Sequence, residues 1–140
     1  MSGKFFLDTN ILVYSFDARQ STKQRIAQGL IDKALLSQKG FISTQVVQEF
    51  LHVALRKFEK PLSVQEARAY LDTVLSPLCE VFPTIKLYHR ALELQHETGF
   101  SFYDALIIAS ASEGESKILY SEDMQTNRRI AGLILQNPFL

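Results

Sequence analysis

Four acidic residues in this chain stand where acids can do chemistry together: Asp8, Glu49, Asp104 and Asp123. Asp8 closes the apolar run Phe5-Phe6-Leu7, where a buried strand should give way to a helix. Asp123 follows a second apolar run, Ile118-Leu119-Tyr120, after Ser121 and Glu122. In open α/β sheets ligands bind outside the carboxyl ends of the strands. Two carboxylates leaving strands there would meet at one edge. Asp104, in Ser101-Phe102-Tyr103-Asp104, and Glu49, early in a helix, border the same edge.

Each acid taken singly has an ordinary explanation. Asp8 is a good helix N-cap, and Asp104 fits the carboxylate of a capping box. Asp123 suits an Asx-turn. Glu49 shares a helix face with Gln45, His52 and Arg56, opposite Val47, Phe50 and Leu51, which predicts a solvated carboxylate. The combination is what changes the weighing. Carboxylates brought within ~4–6 Å of one another repel and raise at least one pKa unless a cation neutralises them. An oxygen-only donor set selects hard ions, Mg²⁺ or Mn²⁺. Such ions at an open sheet edge suit phosphodiester hydrolysis, because they activate water and hold charge developing on phosphorus.

The elements that must position these acids follow from the periodicities. Apolar runs predict strands at 5–7, 41–43, 117–120 and 132–135, with a weak one at 79–82. Helical spacing predicts helices over 11–16, 21–38, 44–58, 63–75, 84–98 and 102–112. Lys39-Gly40 and Gly99 are stop signals, Pro61 is a breaker, and Ser63-Val64-Gln65-Glu66 is a capping-box signature. Strands alternating with helices imply right-handed crossovers and an α/β fold with a mostly parallel sheet of four to five strands.

At 140 residues the chain suits one domain, 1–140. Fifteen basic residues balance fifteen acidic ones, so no overall charge announces a nucleic-acid partner. Were the four acids sequestered on cations, 15 bases would face 11 remaining acids. The single Cys79 excludes an internal disulfide and a Cys-based zinc site, and suits a reducing cytoplasm. No apolar stretch reaches membrane-spanning length, and Met1-Ser2-Gly3-Lys4 makes a poor signal peptide.

The segments FFLDTNILVYSFD, STQVVQEF, FSFYDALIIASA and ILYSEDMQ resemble, in order and spacing, the motifs of PIN-domain nucleases. The likeness is greatest to the VapC-type toxins of bacterial toxin–antitoxin pairs. It implies a three-layer PIN-like sandwich and a Mg²⁺- or Mn²⁺-dependent endoribonuclease whose acidic pocket is Asp8, Glu49, Asp104 and Asp123. Asn10 and Ser121 match positions that brace the carboxylates. Glu122 ranks behind Asp123, because alternation at a strand end points it elsewhere. The resemblance further implies an RNA substrate, products with 5′-phosphate and 3′-hydroxyl ends, a cognate antitoxin and a homodimer. The other reading is a PIN-like module that holds RNA or protein without cutting.

Candidate RNA contacts are Arg19 and Lys23 after the first helix, with Arg128 and Arg129 after Asp123. Phe100, Phe102 and Tyr103 could stack a base, though core packing is the more ordinary use. Three other chemistries fit poorly. Glu49 with His52 and Glu93 with His96 have the spacing of a di-iron bundle, which requires a chain without strands. A receiver domain needs a second acid beside Asp8 and a late Lys, and no Lys follows Lys117. A haloacid-dehalogenase-like phosphatase needs Asp-x-Asp where this chain has Asp8-Thr9-Asn10.

Overall fold

Phe5, Phe6 and Leu7 are all buried, and the four residues Gly40–Ser43 are buried without exception. Strands with no exposed alternation must be covered on both faces, which requires parallel neighbours and helices above and below. The computed structural model describes residues 3–140. Its strands are β1 (Phe5–Leu7), β2 (Gly40–Ser43), β3 (Cys79–Val81), β4 (Ile118–Tyr120), β5 (Arg129–Ile130) and β6 (Leu133–Gln136). They form one sheet in the order β3-β2-β1-β4-β6-β5. Every pairing is parallel except that of β5 with β6.

The sheet has six strands rather than the expected four to five. The addition is β5, two residues long, which pairs antiparallel with β6 across a turn at Ala131-Gly132, both at positive φ. Two residues carry too little periodicity to read as a strand.

The helices are α1 (Thr9–Tyr14), α2 (Ser21–Ser37), α3 (Thr44–Arg56), α4 (Val64–Tyr70), α5 (Ser76–Leu78), α6 (Ile85–Thr98) and α7 (Phe102–Glu113). The single helix expected over 63–75 is instead α4 followed by a π-turn at Leu71–Leu75. Pro77, one residue beyond it, offers no N–H, so the chain loosens by one residue per turn before ending. The predicted capping box at Ser63 and Glu66 is present in full.

The core is apolar and contiguous, with Phe6, Phe41 and Phe50 the largest fully buried side chains. Phe16, Phe50, Phe58 and Tyr70 form an aromatic knot with ring centroids 5.0–6.0 Å apart. It ties α1 and α3 to α4. Gly40 is required by close approach: a Cβ there would stand 2.3 Å from Ala34 Cβ on α2 and 2.7 Å from the Ala34 Cα. That contact lets α2 lie directly against the start of β2. No helix among the described residues is long and apolar enough to cross a membrane.

Candidate functional site

β1 is the hinge of the topology. The chain runs outward from it through β2 to β3 on one side and through β4 to β6 on the other. Where strand order reverses, the loops leaving adjacent strands diverge and a crevice opens at their carboxyl ends. Asp8 leaves β1 at this point, and Ser121 leaves β4 beside it. The Asp8 N–H still bonds the Tyr120 carbonyl at 3.0 Å, so the two strand ends are held in register.

Asp8 is the N-cap of α1, and one carboxylate oxygen accepts from the Thr9 N–H at 2.7 Å. Its second oxygen accepts from the Ser121 hydroxyl at 2.8 Å. Capping therefore occupies half of the group and leaves it buried, 8% exposed. Burial raises its carboxyl to about 6, against the pull of Ser121 and Thr9 and with help from the charges of Glu49 and Asp123.

Glu49 does not lie on a solvated face. Its oxygens accept from the Thr9 hydroxyl at 2.6 Å and from Gln45 Nε2 at 3.1 Å. Gln45, expected beside it in water, is buried. The helix face carrying both turns toward α1 and α7, because Gln45 also donates to the Tyr103 carbonyl at 3.2 Å. Asp123, more exposed, accepts from Asn10 Nδ2 at 3.0 Å, and its N–H bonds the Ser121 hydroxyl at 3.3 Å.

Asp104 occupies the first turn of α7, where Ser101 caps the Asp104 N–H at 3.2 Å. Among the described residues its carboxylate does not return a bond to the Ser101 amide, so only half a capping box forms. Desolvation raises the Asp104 carboxyl, opposed by Ser101 and reinforced by the charges of Asp123 and Glu49.

The charges of Glu49 and Asp123 thus reach both Asp8 and Asp104. Each of Asp8, Glu49 and Asp123 rests on a neutral donor supplied by Thr9, Asn10, Gln45 or Ser121. Among the described residues, no three His, Cys, Asp or Glu side chains stand grouped as ready-made ligands of one ion. The set fits a hard divalent cation in donor chemistry and in charge: all-oxygen, with a buried carboxyl whose raised pKa a cation would reverse. Asp8, Glu49, Asp104 and Asp123 are the residues that could hold it.

The supporting residues fall into two groups. Asn10 reaches Asp123, the Ser121 hydroxyl at 3.4 Å and, through its carbonyl, the Glu122 N–H at 3.2 Å. Ser121 lies between Asp8 and Asp123. Glu122 turns away, accepting from the Tyr14 hydroxyl at 2.6 Å and from Lys23 Nζ. Burial works to raise the Glu122 carboxyl, but these two donors outweigh it and hold it below its ordinary value. Lys23 is therefore engaged with an acid. Arg19 is engaged too, with Asp17 and Glu59. Arg128 lies over the Phe100 ring, 5.0 Å from its centroid, and Arg129 is exposed on β5.

Thr9 and Gln45 are the functional neighbours that sequence reasoning missed. Thr9 had a signal: the residue after a capping Asp at a switch point must sit within the crevice. Phe100 and Phe102 are half-buried as core packing expects, but Tyr103 is 65% exposed. Among the described residues the histidine–glutamate spacings gather no ligand set, and the strands exclude a di-iron bundle.

Comparison with known proteins agrees with this architecture. A toxin–antitoxin complex from Klebsiella pneumoniae has TM-score 0.67 at 20% identity, over 96% of this chain and 98% of that one. VapBC2 from Rickettsia felis, bound to a DNA fragment from its promoter, has TM-score 0.63 at 24% identity, over 95% and 97%. VapC20 of Mycobacterium tuberculosis, a sarcin–ricin-loop-cleaving toxin, has TM-score 0.57 at 23% identity, over 86% and 92%. No curated protein matches the sequence. The family profile described as PIN domain matches residues 5–132, from β1 through all four acids into the last hairpin. By that match the chain belongs to the PIN-domain family.

Proposed function

We propose that this chain is a divalent-metal-dependent endoribonuclease and the toxin of a toxin–antitoxin pair. One observation carries the proposal: Asp8 is buried at the switch point with its carboxyl raised to about 6 and with Glu49 and Asp123 adding to that rise. Keeping such a carboxylate costs stability, and a scaffold that only binds gains nothing from it. The similarity to VapC20, a sarcin–ricin-loop-cleaving toxin, supports the substrate class.

Asp8, Glu49, Asp104 and Asp123 would hold Mg²⁺ or Mn²⁺. When bound, such an ion lowers the pKa of water and offsets charge on the scissile phosphate. The chain's own residues set the orientation. Ser121 and Thr9 fix Asp8, Thr9 and Gln45 fix Glu49, and Asn10 fixes Asp123. Arg128 and Arg129 suit flanking RNA phosphates. Arg19 and Lys23 would first have to leave their acidic partners.

An antitoxin partner is proposed because two of the similar structures are toxin–antitoxin complexes. A homodimer is proposed from Ile85, Tyr88 and Leu92, exposed apolar residues along α6, with exposed Phe82 just before it. The lone Cys79 suits the cytoplasm.

The test is incubation of the purified chain with structured RNA in Mn²⁺, Mg²⁺ or EDTA. Metal-dependent fragments that vanish in Asp8→Asn are the expected result. Retarded but intact RNA in every buffer would replace the enzyme with a binding module. Sedimentation showing only monomer at micromolar concentration would remove the dimer.

A further inference from the structure

Beside the acids lies a cavity of about 520 Å³ between the carboxyl ends of β2 and β3 and the helices α6 and α7. Its walls include Ser43, Gln45, Phe102, Tyr103, Leu106 and Tyr88. That volume lies within the range of small-molecule sites. It adjoins the acidic crevice on both sides: Gln45 bonds Glu49, and Tyr103 precedes Asp104.

Two buried polar atoms in this wall have no partner among the described residues, Ser43 Oγ and Gln45 Oε1. Both residues are more than nine-tenths buried, Ser43 at 2% exposed and Gln45 at 7%. Buried polar atoms without partners work against folding and call for an explanation. Ser43 is the N-cap of α3, yet its hydroxyl makes no capping bond. The Gln45 amide cannot be turned round to relieve the other atom. Its Nε2 faces two acceptors, Glu49 Oε2 at 3.1 Å and the Tyr103 carbonyl at 3.2 Å. Gln45 Oε1 is therefore fixed as an acceptor, while the Ser43 hydroxyl can donate or accept.

We infer that this cavity receives the base of a nucleotide adjoining the bond to be cut, and so sets sequence preference. The inference rests on the nuclease reading above. A nucleobase edge carries an N–H donor beside an acceptor, the complement of Gln45 Oε1 and Ser43 Oγ. Its faces stack on aromatic rings, and Phe102, Tyr103 and Tyr88 supply them, Tyr103 with an exposed ring. The cavity shares its wall with the acids through Gln45, bonded to Glu49, and through Tyr103, next to Asp104, so it stands beside a strand held there.

Ligand-observed NMR in EDTA, with the four nucleoside 5′-monophosphates and ribose 5-phosphate, tests binding without catalysis. Saturation should reach base protons of at least one nucleotide and should not reach ribose 5-phosphate. Ser43→Ala removes the hydroxyl without adding an atom, and Tyr103→Ala removes an exposed ring. Each should weaken that binding about tenfold. Ser43→Ala should leave melting temperature equal or higher, whereas a purely structural hydroxyl would lower it. In Mn²⁺, sequenced cleavage ends should show a base preference next to the cut that both variants flatten. No saturation of base protons in the native chain, or unchanged binding in Ser43→Ala, overturns the inference. A chain that cuts RNA without base preference and binds no nucleotide loses the cavity's role and keeps the nuclease. One that binds bases and leaves RNA intact does the reverse.

Discussion

Replacing Asp8 with Asn should make the protein more stable at neutral pH while destroying its function. The Asp8 carboxyl stands at about 6 in the folded chain against an ordinary 3.8. Just over two units at ~1.4 kcal/mol each is about 3 kcal/mol of destabilisation once the group is ionised. The sign follows from proton binding. Between pH 3.8 and 6 the folded chain holds more of this proton than the unfolded chain, so stability falls as pH rises through that window. Asn cannot accept from both Thr9 and Ser121 as the carboxylate does, which returns about 1 kcal/mol. The expected outcome is that Asp8→Asn gains about 1–2 kcal/mol at pH 7.5. The gain should vanish below pH 4, where the native carboxyl is protonated. Urea unfolding of both proteins in EDTA from pH 3.5 to 7.5 measures it. Mn²⁺ should restore stability to the native chain only, by about 2.7 kcal/mol at a hundredfold excess over its Kd. An Asp8→Asn protein less stable than the native one at pH 7.5, or a gap that ignores pH, would refute the reasoning.

Thr9→Val removes the hydroxyl held by Glu49 at constant shape and should slow RNA cleavage about 10–100-fold, with melting temperature nearly unchanged. Glu122→Gln should leave cleavage within about threefold, while Asp123→Asn lowers it about 100-fold or more, since only the latter faces the crevice. Gly40→Ala should cost about 3 kcal/mol in urea unfolding, because its Cβ would meet Ala34 backbone, and Ala34→Gly in the same chain should recover part of it. Isothermal titration with Mn²⁺ should show binding by the native chain and a loss of it in Asp8→Asn, measured without any RNA.

Much of the fold was legible because its signals are local. Phe5-Phe6-Leu7 and Phe41-Ile42-Ser43 are unbroken buried runs, and Ser63 with Glu66 closes the capping box its spacing announces. What stayed hidden depends on distant partners. Glu49 sits one residue from the buried Phe50, and nothing local says that its face packs on α1 and α7. Lys23 reads as a free cation until the chain brings Glu122 to it from 99 positions away. Tyr103 reads as core because its neighbours are apolar, yet the first turn of α7 leaves it outside. The pairing of Ser121 with Asp8 likewise spans 113 positions and follows only from β1 and β4 being adjacent.

The loop bearing Asp123 is clamped by β6, a strand that carries no acid of its own. Its flanks are tied where the Ser121 N–H meets the Gln136 carbonyl and the Asn127 N–H meets that of Leu135. A substitution that loosened β6 from β4 would therefore release Ser121 and Asp123 together without altering either side chain.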